Sequence, residues 1–163
     1  MSEAQFIKPP NNLRKAKIGT GPGKMDPNLI AKAEAAMAEL EDDYMGWAQE
    51  DLKNLEAVLK KLQDSTSADD QTADLRRLFA IALDMKGQGG SFGYRMITAV
   101  ADSLTDFIEN REGKVLRELD MNVFDAHVNA MRAIFNEEVR DDGGPTGQLL
   151  MDGLFKLRQK AAT

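Results

Sequence analysis

Leu83-Asp-Met-Lys-Gly-Gln-Gly-Gly-Ser-Phe-Gly93 is the stretch on which the reading of this chain turns. Immediately before and within it, Leu75, Leu78, Phe79, Ala82 and Met85 recur at the spacing of an amphipathic helix with one apolar stripe. Gly87, Gly89 and Gly90 then end that helix, which is expected over about residues 69–87. At about 100° per residue, Leu83 falls outside the stripe, roughly 110° from its centre. It shares an outward strip with Arg76, Ala80 and Gly87, and Lys86 stands one turn further on at the border of that strip. A glycine inside a helix costs about 1 kcal/mol relative to alanine. Gly87 is therefore read in two ways, as the start of the helix's end or as room for another protein's backbone.

Outward from this segment the chain reads as helix throughout. Ser65-Thr-Ser-Ala-Asp-Asp70 is a turn and a cap, with Ser67 the expected N-cap and Asp69 and Asp70 favoured by the helix dipole. Downstream, Ser91 is expected to cap a helix that runs to about Asn110 through Ile97, Val100, Leu104 and Phe107. A further helix over about 116–139 carries Val123, Phe124, Met131 and Ile134, and Asp141-Asp-Gly-Gly-Pro145 breaks it from a last one with Leu149, Leu150, Leu154 and Leu157. Upstream, Asp26-Pro27 starts a helical pattern through Ala33, Met37, Leu40, Tyr44, Trp47, Leu52, Leu55 and Leu59. The pattern fits one long helix or two that break near Gly46, and two are expected. Residues 1–24, with Pro9-Pro10 and Gly19-Thr-Gly-Pro-Gly23, read as a flexible arm. No segment has the alternation of a strand. The expected fold is all-α: an antiparallel four-helix bundle over residues 25–163 with one or more additional N-terminal helices.

Composition narrows the function. The chain has 163 residues, the length of one ordinary domain, and no apolar run long enough to span a bilayer, so no membrane insertion is expected. It has no cysteine, which removes disulfides, thiolate metal sites and cysteine nucleophiles. With no secretory apolar stretch at the N-terminus, a cytoplasmic address is expected. The arm carries Lys8, Arg14, Lys15, Lys17 and Lys24 against Glu3, and so sums to +4 of an overall −6. The remaining residues therefore hold −10, which argues against nucleic acid as a partner.

The segment 83–93 resembles the motif H-x-L-K-G-S-x-x-x-G of histidine-containing phosphotransfer domains, the four-helix bundles of bacterial two-component relays. Lys86 and Gly87 fall on its lysine and first glycine, Met85 on its apolar position and Gly93 on its last glycine. Gln88 replaces the serine, and Leu83 stands where the acceptor histidine belongs. In that family the histidine takes a phosphoryl group from a receiver-domain aspartate, the lysine offsets the phosphate charge and the glycine permits close docking. The resemblance implies that Lys86 and Gly87 keep the last two roles. Leu83 cannot take the first, because a hydrocarbon has no nucleophilic atom. What is implied is a pseudo-phosphotransfer domain that docks a receiver domain of a response regulator or hybrid kinase without accepting phosphate, and needs no cofactor. Its contact patch has Leu83 at the centre with Ala80 and Gly87, rimmed by Arg76, Lys86 and Gln88.

Other chemistry in the chain is sparse. His127 is the only histidine, which excludes a multi-histidine metal site. It reads as a hydrogen-bonded residue at the edge of the core, and the alternative makes it the acceptor of a working phosphotransfer protein. Asp84 adjoins Leu83 but points about 100° away. Ser91 has no histidine near it in sequence to activate it. Asp42-Asp43, Asp69-Asp70 and Asp141-Asp142 read as cap and loop charges, and residues 87–93 match no phosphate-binding fingerprint. A third reading is a helical bundle with no part in signalling.

Overall fold

The computed structural model describes residues 27–65 and 67–163, the side chains of Glu41 and Asp42 apart, and within these there are helices and no strand. The basic arm and the Asp26 cap lie outside the described residues. Five α-helices follow in order: α1 over Pro27–Asp64, α2 over Ala68–Gly89, α3 over Arg95–Glu109, α4 over Glu118–Asn136 and α5 over Gly144–Ala162. A 3-10 turn, Gly90–Phe92, lies between α2 and α3. No helix among the described residues is long and apolar enough to cross a membrane.

The chain divides into two compact units at Leu40. In the first, residues 27–40 of α1 are all exposed, among them Leu29, Ile30, Met37 and Leu40. In the second, residues 41–163, the core is built from Tyr44, Leu55, Leu62, Leu78, Ile97, Leu104, Phe124, Met131 and Ile134, with Leu154 of α5 closing it. The chain packs helix against helix: α2 on α3, α3 on α4, α4 on α5, and α3 also on α5.

Two expectations need correction. α1 runs unbroken through Gly46. Buried Tyr44 and Ala48 on either side hold that turn to the core, and their packing outweighs the roughly 1 kcal/mol a helical glycine costs. The helix after the glycines starts at Arg95, with Tyr94 at its N-cap position, and Ser91 lies inside the 3-10 turn. The start is set by packing, not by a cap side chain. Tyr94 is fully buried, its ring 5.9 Å from that of Tyr44 and 5.5 Å from that of Phe135. Ser67 does precede α2 in an extended conformation, with Asp69 and Asp70 in the first turn, although its hydroxyl makes no cap hydrogen bond.

Candidate functional site

α2 buries Leu75, Leu78, Ala82, Met85 and Gly89, which leaves Arg76, Ala80, Leu83 and Gly87 exposed along its opposite side. Leu83 is 45% exposed. Gln88 is half-buried beside the strip. Asp84 is turned away from it towards α1. There Asp51 has its carboxyl raised above the ordinary value, first by desolvation and then by the charges of Asp84 and Glu50.

Lys86 does not stand free beside Leu83. Its Nζ lies 2.5 Å from Oδ1 of Asp102 on α3, and that hydrogen bond, the largest cause, raises its pKa above the ordinary lysine value. Arg76, at the other end of the strip, lies 3.9 Å from Glu112, with both side chains mostly exposed. The two cations are thus matched within the chain. Solvent screens exposed pairs of this kind, so both cations remain available to compete for another anion.

The glycines of the segment separate by cause. A Cβ on Gly89 would lie 3.0 Å from the Tyr94 carbonyl oxygen and from Thr98 Oγ1, so the start of α3 has room for hydrogen only. Thr98 Oγ1 at this crossing also donates to the Lys86 carbonyl at 3.1 Å. Gly93 has φ of 79°, a left-handed conformation that side chains disfavour. Its carbonyl accepts from Asp141 N at 2.8 Å, and the Asp141 carbonyl accepts from Met96 N at 2.9 Å. Arg140 adds a bond of 3.1 Å to the Phe92 carbonyl and lies 4.3 Å from the centre of the Tyr94 ring. The end of the segment is thereby tied to the α4–α5 break, and Phe92 stacks on Tyr44 at 4.3 Å. Gly87 is different. A Cβ there meets nothing within 4 Å, and the helix continues past it to Gly89.

His127 is not at the edge of the core but fully enclosed. Nδ1 lies 2.7 Å from the Val123 carbonyl, which can only accept, so Nδ1 carries the proton. Nε2 then accepts from the Ser103 hydroxyl at 2.9 Å, and Arg158 Nη1 donates to Ser103 Oγ at 2.9 Å. Desolvation is the largest cause that lowers the imidazole from 6.5 to about 4, and the positive charge of Arg158 acts in the same direction. Both ring nitrogens of the neutral form are engaged.

Two features escaped sequence reasoning. Trp47 falls on the apolar spacing of α1 yet is 53% exposed, because Tyr44 and Ala48 take the core-facing positions around it. The second is a buried clamp. Arg111 Nε lies 2.8 Å from Asp120 Oδ1, Arg117 N donates to Asp120 Oδ2 at 2.8 Å, and both guanidinium groups donate to the carbonyl of Ala161 near the end of α5. Charged residues at positions 111, 117 and 120 carry no sequence signal that separates them from a solvated loop. Among the described residues no cluster of His, Asp or Glu is arranged to hold a metal ion. No protein-family model, no curated protein and no solved structure matches the chain.

Proposed function

We propose that the chain is a pseudo-phosphotransfer domain, an antiparallel four-helix bundle of α2–α5 with α1 added, that docks a receiver domain and does not accept its phosphate. The observation that carries this reading is Gly87. It is exposed, it lies inside α2, and nothing within the fold uses the space its missing side chain leaves. A close-approaching partner backbone is a reason for it to be there. Leu83 one turn away supplies an apolar centre, and Arg76, Lys86 and Gln88 a polar rim, the anatomy of a protein-binding patch. Sequential packing from α2 to α5 supports the bundle arrangement. Because Asp102 and Glu112 already face the two cations, most of the affinity is assigned to Leu83 and the close backbone approach. The enclosed, doubly hydrogen-bonded His127 supports no transfer role for itself.

The test is a binding assay against the receiver domains of the same cell. At least one is expected to bind, and Leu83→Asp is expected to weaken it tenfold or more, with Lys86→Ala weakening it less. A phosphorylated receiver should keep its phosphate in the complex. If no receiver binds, the signalling reading fails and only the helical fold remains. Acid-labile phosphate appearing on the wild type, and lost in His127→Ala, would sink the proposal in favour of an active phosphotransfer protein.

A further inference from the structure

Residues 27–40, the described part of the first unit, are one helical stretch in which every residue is exposed. On the helical wheel Leu29, Ile30, Ala33, Ala36, Met37 and Leu40 fall within an arc of about 120°. Lys32, Glu34 and Glu39 lie outside that arc. Leu29 is 63% exposed and Met37 66%. An apolar stripe of this width is what a helix in water turns towards a partner. The spacing is a heptad: Ile30 and Met37 take the a positions, and Ala33 and Leu40 the d positions. On the flanks, Leu29 and Ala36 take g and Glu34 takes e.

We propose that a second copy of this chain covers the stripe, the two helices running parallel as a short two-stranded coil over residues 29–40. The charge pattern selects both the occupant and the direction. No charged side chain lies on the stripe, so two copies meet without burying a charge, whereas a partner with a charged contact face finds no countercharge there. In the parallel register Ile30 meets Ile30 and Leu40 meets Leu40, and each Glu34 faces Leu29 of the other copy. The antiparallel register that sets Ile30 against Leu40 brings the two Glu34 side chains together, which like charges disfavour. The exposed apolar area of the stripe is roughly 500 Å² per copy, or about 1,000 Å² for the pair, the lower bound for a specific interface. The dimer is therefore a dissociable one. This inference stands apart from the docking proposal, since it uses none of Leu83, Lys86 or Gly87.

Sedimentation equilibrium of the full chain should show a monomer–dimer equilibrium with a Kd of about 10–100 μM. Amide exchange over residues 27–40 should slow as the concentration rises through that range. Met37→Glu, at an exposed position, should weaken association tenfold or more and leave the thermal transition in place. The chain has no cysteine, so a single introduced one reports direction cleanly. Ile30→Cys should form an intermolecular disulfide on mild oxidation much faster than Lys32→Cys, which lies off the stripe. In the antiparallel register the two residues at position 30 would be about 15 Å apart and could not join. A monomer at 500 μM, a dimer that Met37→Glu leaves intact, or equal crosslinking through positions 30 and 32 would overturn the proposal. Exchange protection of residues 27–40 that does not change with concentration would assign the stripe to another part of the same chain and overturn it likewise.

Discussion

Gly87 and Gly89 are two residues apart on one helix, and the structure assigns alanine opposite effects at the two. At Gly87 a new Cβ enters open space. The gain is the helix-propensity difference and the lost freedom of the unfolded chain, about 0.5–1 kcal/mol. At 163 residues that corresponds to a rise of about 1–4 °C in Tm. At Gly89 the same methyl lies 3.0 Å from a backbone carbonyl, 3.0 Å from Thr98 Oγ1 and 3.1 Å from Thr98 N. The threonine hydroxyl can turn away, but the backbone atoms move only with the start of α3. Relief therefore requires a shift of a packed helix, and the cost is about 1–3 kcal/mol. Thermal and urea unfolding followed by circular dichroism measure both, and the binding assay is then repeated with the stabilised variant. Gly87→Ala should raise the unfolding midpoint and weaken receiver binding together. A destabilised Gly87→Ala would mean that the fold itself requires the glycine, and the argument for a docking partner would lose its main support. A harmless Gly89→Ala would contradict the close approach of α2 and α3.

Three more outcomes follow from other parts of the molecule. His127 in the unfolded chain binds a proton below about pH 6.5, while in the folded chain it resists protonation down to about 4. Its contribution to stability is therefore full above pH 6.5 and is lost as pH falls towards 4, by about 3 kcal/mol in all; His127→Gln should flatten that part of the stability profile, and an unchanged slope would refute the assignment. Asp120→Ala leaves the buried guanidinium of Arg111 without its carboxylate and frees the end of α5, and should cost about 3–5 kcal/mol in urea unfolding. Leu83→His should gain acid-labile phosphate from a phosphorylated receiver, and a variant that docks but stays unphosphorylated would show that position 83 is not the acceptor position.

What was legible in the sequence was local. The apolar stripe of α2, the outward direction of Leu83 and the Asp141–Pro145 break all depend on periodicity or backbone punctuation within a few residues. The unbroken run through Gly46 was not legible, because the packing of Tyr44 and Ala48 overrides a local helix breaker. The start of α3 at Arg95 was missed for the same reason: Ser91 is a good cap by its chemistry, but the burial of Tyr94 decides where the helix begins. The candidate site divides likewise. The exposure of Arg76, Ala80, Leu83 and Gly87 follows from one helix. The pairing of Lys86 with Asp102 and of Arg76 with Glu112 arises only when α2 packs against α3 and its trailing loop.

The enclosure of His127 has a practical side. The one histidine of the chain has both nitrogens occupied and no exposed surface. Histidine-directed reagents and phosphoryl donors should leave the folded wild type blank. A histidine placed at position 83 would then report without background: every acid-labile phosphate and every titrating imidazole signal near neutral pH would belong to that one ring. The protein becomes a blank scaffold on which a receiver's preference for acceptor geometry can be read one position at a time.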